Sequence, residues 1–168
     1  PQRAGRQVLS AIEYQIEEQL ARDIESQHCA FADANANPVS IAVIVRSIMQ
    51  RCLALAHAHG LRLLHIVPEL FLCPWAGSGI ALMRGHDGYL LRYGDFHGLK
   101  CSEPTLTAML EMLGREIEFD TVTCYEAEGE SAPPLDGVAP DGVELDHKAL
   151  ASVRPGFIDA PIIDLQQR

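Results

Sequence analysis

Hydrophobic and polar positions follow two periods along this chain, three to four residues in some stretches and two in others. From Gln7 to Arg22, Leu9, Ile12, Ile16 and Leu20 recur at steps of three and four, while Glu13, Glu17 and Glu18 lie off that stripe. This spacing predicts an amphipathic helix with an acidic outer side. His28 to Phe31 predicts a short strand, Asp33 to Pro38 a turn, and the β-branched run Val39 to Val45 a buried strand. Ile48, Cys52, Leu55 and Ala56 carry a second helix that ends at Gly60, a usual C-terminal cap residue. Leu63 to Val67 then predicts another buried strand, which would complete a βαβ crossover.

A period of two takes over from Gly79. Gly79 to Arg84, Tyr89 to Tyr93 and Phe96 to Lys100 read as a meander, turned at Gly85-His86-Asp87-Gly88 and at Gly94-Asp95. Ser102 is placed to cap a helix that presents Leu106, Met109, Leu110 and Leu113 inward and ends at Gly114. Ile117 to Tyr125 predicts a strand, Asp146 to Val153 a short helix, and Ile162 to Leu165 a closing strand. Between them, residues 126–142 hold three prolines and three glycines among acidic side chains, the composition of an exposed, mobile loop. The order βββαβαβ belongs to the ribonuclease H-like fold shared by actin-type ATPases. The expectation is an α/β chain with a mixed sheet and flanking helices. Residues 1–38 form part of a small α+β subdomain, and residues 39–168 form a ribonuclease H-like one.

Composition narrows the partners. The chain has 168 residues, 48% hydrophobic, with 23 Asp plus Glu against 13 Lys plus Arg and a net charge of −10. Such a field repels phosphates, so nucleic acid is excluded as a partner of the whole chain, and a basic protein surface suits it better. The cysteines Cys29, Cys52, Cys73, Cys101 and Cys124 are odd in number and widely spaced, as in reduced core thiols. No stretch approaches the ~20 consecutive apolar residues that span a bilayer. The chain opens Pro1-Gln2-Arg3, without Met, and reads as a fragment.

Chemistry-bearing constellations are sparse. Zinc sites use close pairs such as C-x₂-C or H-x₃-H, and neither spacing occurs; His57 and His59, two apart on a helix, point about 200° apart. Cys73-Pro74-Trp75 suggests a nucleophile only if a base such as His65 or His97 lies close, and otherwise a packed thiol under a Trp lid. Gly77-Ser78-Gly79 lacks the G-x-S-x-G spacing of a nucleophile elbow. Actin-type nucleotide sites use a hairpin loop carrying an Asp at the start of the meander, whereas this chain has Ser78-Gly79-Ile80-Ala81-Leu82 there. With no carboxylate, no magnesium ligand is evident. No catalytic, metal or cofactor-binding residue is therefore expected. An actin- or sugar-kinase-like ATP-binding enzyme is the alternative, and a small-molecule sensor using the groove beside Trp75 a further one.

Several ordered pieces carry a family resemblance. The stretch Arg6 to Glu25, with Glu17-Glu18-Gln19-Leu20-Ala21, is similar to a segment R-x-x-x-x-A-L-P-Y-x-L-E-E-Q-L-A-E-D-I-E, with Glu13 in place of Pro. Ile41 to Val45 resembles a V-A-V-V strand, and Gly60-Leu61 an A-G-L. Val67 to Trp75 resembles V-P-D-x-L-A-L-P-W with Cys73 in place of Leu, and Arg92-Tyr93-Gly94 an R-T-G. Together they resemble type II secretion system protein L. The resemblance implies an actin-like cytoplasmic region without ATPase activity, whose first strands precede residue 1, followed in the whole protein by one transmembrane helix and a periplasmic domain. It also implies a scaffold that binds the N-terminal domain of the secretion ATPase and, through other regions, protein M; a second copy is a further candidate partner. Such a protein acts at the cytoplasmic face of the inner membrane of a Gram-negative bacterium. The acidic side of the first helix and its exit, Glu17, Glu18, Asp23 and Glu25, is the expected contact surface.

Overall fold

The computed structural model describes residues 15–20, 23–32, 39–126, 135 and 142–149. The chain divides into two compact units that part between Pro68 and Glu69. The boundary expected after residue 38 falls inside the first of these units. Strand pairing gives the physical reason: β1 (Gln27–Phe31) and β2 (Ile41–Val45) form a two-stranded antiparallel sheet, in register from Gln27 opposite Val45 to Phe31 opposite Ile41. That ladder ties both strands to one unit.

In this first unit, helix α1 (Arg46–Ala58) follows β2 directly. The Arg46 guanidinium reaches back to the Gln27 carbonyl, with Nη2 at 2.9 Å and Nε at 3.3 Å, and so fixes the corner between strand and helix. Gly60 ends the helix as its sequence predicts, at φ +64°. Its N–H donates to the His57 carbonyl at 3.0 Å, and the Leu61 N–H donates to the Ala56 carbonyl at 2.9 Å, the paired bonds of a Schellman cap. Of the residues whose spacing marks this helix, only Ala56 is on its buried side. Met49 and Ala56 are buried, while Ile48, Cys52 and Leu55 are exposed. The strand expected over Leu63 to Val67 is absent, and with it the βαβ crossover. A short apolar run satisfies extended coil as well as strand, and coil is what forms here. Strand β2 is only partly buried. The first helix shows helical residues 15–17 and a turn at 18–19; the rest of its predicted range, and the predicted turn at 33–38, lie outside the described residues.

The second unit is a five-stranded mixed sheet in the order β5-β4-β3-β6-β7. Strands β3 (Ile80–Gly85), β4 (Gly88–Arg92) and β5 (Gly98–Cys101) form the predicted antiparallel meander. Strands β6 (Thr121–Glu126) and β7 (Glu144–Ala149) run parallel to β3. Alternation assigns the faces. Ile80, Leu82, Tyr89, Leu91, Val122 and Cys124 join the cluster holding Leu106, Leu110 and Leu113 of helix α2 (Leu106–Glu116). Ala81, Met83, Leu90 and Tyr125 instead join Cys73, with Trp75 against them.

Four expectations fail in this unit. Helix α2 continues through Gly114 to Glu116, and Ser102 gives no side-chain cap; its hydroxyl pairs with Thr105 Oγ1 at 3.0 Å beside a 3₁₀ turn over Glu103–Thr105. The helix predicted from Asp146 is strand β7, because a parallel ladder from Thr121 opposite Glu144 to Glu126 opposite Ala149 overrides local preference. Leu135, inside the stretch read as an exposed loop, is buried in the core cluster. Glu126 closes β6 and Gly142 precedes β7, while the rest of that stretch and the predicted strand 162–165 lie outside the described residues.

Candidate partner-binding surface

The four carboxylates singled out by sequence lie on one stretch leading into β1, and all are exposed. Glu17 closes the helical residues, and Glu18 lies in the turn that follows. The Gln19 N–H donates to the Ile16 carbonyl at 2.9 Å and the Leu20 N–H to the Glu17 carbonyl at 3.1 Å, so the helix tightens and stops here, short of the predicted Arg22. Asp23 precedes the 3₁₀ turn Ile24–Ser26, and Glu25 sits inside it. The Ser26 N–H and Oγ both donate to the Asp23 carbonyl, at 2.9 and 2.7 Å, which fixes the backbone and leaves the Asp23 carboxylate in solvent. An exposed acidic row of this kind attracts a basic surface.

The two most distinctive motifs of the sequence meet in the structure, and what they build is a joint. The segment Glu69 to Trp75 crosses the β4–β5 hairpin. Arg92 is 1% exposed and sends Nη1 to the Cys73 carbonyl at 3.1 Å, Nε to the Gly94 carbonyl at 3.1 Å and Nη2 to the Asp95 carbonyl at 2.9 Å. Its guanidinium also lies over the Phe71 ring, 5.2 Å from the centroid, and Phe71 meets Phe96 edge-on. Burial pulls the Arg92 pKa below its ordinary value, opposed by the charges of Cys73 and Asp95. Lys100 Nζ pairs with Glu69 Oε2 of this segment at 2.9 Å and with Asp87 of the turn between β3 and β4. Trp75 Nε1 donates to the Gly79 carbonyl at 3.2 Å. Every one of these partners is a structural neighbour, so Glu69 to Trp75 and Arg92-Tyr93-Gly94 act as a clasp on the sheet.

That clasp also decides the cysteine question. Cys73 is fully buried, and burial raises its thiol pKa to about 12 against the smaller opposing effect of Arg92. Cys124 is likewise raised to about 12 by burial. A thiol this hard to ionise is a poor nucleophile. Beside β3, Ser78 is exposed but Ile80, Ala81 and Leu82 are buried, and Thr121 on the neighbouring strand bonds Asp120 Oδ1 at 3.1 Å. Among the described residues, no group of three or more His, Cys, Asp or Glu is close enough to hold a metal ion. No helix among them is long and apolar enough to cross a membrane.

Comparison with known proteins gives one consistent result. The family model of type II secretion system protein L matches residues 1–148. The chain is 27% identical over 110 residues to type II secretion system protein L of Dickeya chrysanthemi, covering 66% of this chain and 28% of that protein. It is 26% identical over 140 residues to the protein of the same name from Klebsiella pneumoniae, covering 83% of this chain and 33% of the other. The chain thus spans a third or less of the length of these relatives. Its fold is similar to the cytoplasmic domain of EpsL, an inner membrane component of the type II secretion system of Vibrio cholerae. The TM-score is 0.69 at 20% identity, over 89% of this chain and 61% of that one.

Proposed function

Because the chain belongs to the type II secretion system protein L family, we propose that it is part of a non-catalytic cytoplasmic scaffold that recruits the secretion ATPase to the inner-membrane platform. The family match over residues 1–148 carries this reading. The order β5-β4-β3-β6-β7, an antiparallel meander continued by parallel strands, supports an actin-like, ribonuclease H-like body. The loop entering β3 supports a scaffold over an ATPase: it offers Gly77, Ser78 and Gly79 with apolar residues behind them, and a magnesium nucleotide needs a carboxylate or an equivalent oxygen ligand there. The partner is the N-terminal domain of the secretion ATPase. Protein M and other platform proteins meet the remainder of the whole protein, which is anchored by a single membrane span.

Within this chain, the ATPase contacts the exposed row Glu17, Glu18, Asp23 and Glu25. Calorimetric titration of the chain with the ATPase N-terminal domain tests the proposal. Saturable binding is expected, weakened roughly tenfold by Glu18→Lys with Asp23→Lys while circular dichroism is unchanged. No heat with the wild-type chain would remove the scaffold reading, and unchanged affinity in the double variant would remove this surface. A parallel titration with ATP and magnesium separates the enzyme alternative, because the scaffold shows neither heat nor thermal shift.

A further inference from the structure

Helix α1 has an apolar arc much wider than the strip its own unit covers. At 100° per residue, Leu55, Ile48, Cys52, Ala56, Met49 and Leu53 span an arc of about 160°. Met49 and Ala56 within it are buried, whereas Ile48 is 47%, Leu55 63% and Leu53 42% exposed. Leu61 and Leu64, just past the cap, are 63% and 68% exposed. Ile48, Cys52 and Leu55 are neighbours on one flank of the buried strip, with Leu53 on its other side, and an exposed apolar flank of this kind is where a partner can dock.

Charge selects the occupant. Between Asp33 and Glu69 the chain has no Asp or Glu but carries Arg46, Arg51 and Arg62, in a protein of net charge −10. Arg46 is held by the Gln27 carbonyl. Arg51 borders the open flank, one turn from both Ile48 and Leu55, and Arg62 lies between Leu61 and Leu64 in sequence. We propose that this flank of α1, with Leu61 and Leu64, docks an acidic amphipathic helix of a partner protein. Such a helix would lay Leu-type side chains on Ile48 and Leu55 and set its carboxylates against Arg51 and Arg62. A planar anionic membrane is the poorer fit, because it spreads its charge far beyond this stripe and so meets more of the acidic surface than one helix does. The proposal uses different residues from the carboxylate row of the proposed ATPase contact, so each is tested by its own variants.

Fluorescence anisotropy with a synthetic ~18-residue peptide, Leu at i, i+3, i+4 and i+7 and Glu elsewhere, tests the assignment. Expected is saturable binding that weakens roughly tenfold in Arg51→Glu with Arg62→Glu, weakens comparably in Ile48→Ser with Leu55→Ser, and declines between about 50 and 300 mM salt. All four side chains are exposed or borders of the exposed flank, and circular dichroism checks that each variant is folded. Equal binding of a peptide with Lys in place of Glu would overturn the proposal. So would binding to phosphatidylglycerol vesicles but not to the peptide, or self-association of the chain that the same variants abolish. Binding by this chain that disappears in the longer native protein would also overturn it, by showing that the protein's own remaining chain covers the face.

Discussion

Arg92 has the largest fully buried side chain among the described residues, and it spends its donors on three backbone carbonyls. Removing the guanidinium leaves those carbonyls without partners in a dry site, at a cost of about 2–4 kcal/mol. Arg92→Met should therefore lower the urea midpoint with little change in slope, and Arg92→Lys should recover little, since an ammonium cannot reproduce the fork. The thiols give a second test at this scale. Exposed Cys52 should react with iodoacetamide at pH 8 in the folded chain, while buried Cys73 and Cys124 should be modified only on unfolding, as peptide mass spectrometry would show. A Cys73 labelled as fast as Cys52 would restore the nucleophile reading. Both buried thiols are raised from the ordinary 9.0 to about 12, so the folded state keeps its protons where the unfolded chain loses them. Their stabilisation is full below pH 9 and is lost as pH rises toward 12, so the urea midpoint should begin to fall above pH 9.

Single glycines report how the elements are joined. Gly79 has φ +68°, and an added Cβ would lie 2.6 Å from the Thr121 carbonyl oxygen of β6; Gly60 has a similar φ but open space around it. Gly79→Ala should cost more than Gly60→Ala, about 2–3 against about 1 kcal/mol, and equal losses in chemical denaturation would mean that the β3–β6 approach is not tight. Gly114, helical and exposed inside α2, should instead gain about 0.5–1 kcal/mol on substitution by Ala. The meander was legible in the sequence because its turns and alternation are local: Gly85-His86-Asp87-Gly88 sits between strands that pair with each other. Strand β7 was not, because Asp146, His147 and Lys148 read as the start of a short helix until β6 supplies a ladder. For the same reason Leu63 to Val67 looked like a strand, and Ile48 and Leu55 looked like an ordinary helix stripe: pattern shows that a face is apolar, not what covers it. Exposure of Glu17, Glu18, Asp23 and Glu25 followed from charge alone, whereas the clasp between Cys73 and Arg92, 19 residues apart, has no local signal.

For the whole molecule, a charge of −10 and an exposed acidic row predict different behaviour, although both favour a basic partner. Net charge acts through a diffuse field that steers encounter and is screened over a Debye length of about 8 Å at physiological salt. A contact surface adds short-range pairs, whose loss falls mainly on dissociation. If the ATPase N-terminal domain docks on Glu17, Glu18, Asp23 and Glu25, Glu18→Lys with Asp23→Lys should speed dissociation and flatten the dependence of affinity on salt. Glu111→Lys with Glu118→Lys, which makes the same change in net charge at exposed positions of the other unit, should lower only the association rate. Surface plasmon resonance from about 50 to 500 mM salt separates the two effects. Equal effects of both pairs on both rates would mean that the diffuse field, and not the row of carboxylates leading into β1, governs the encounter.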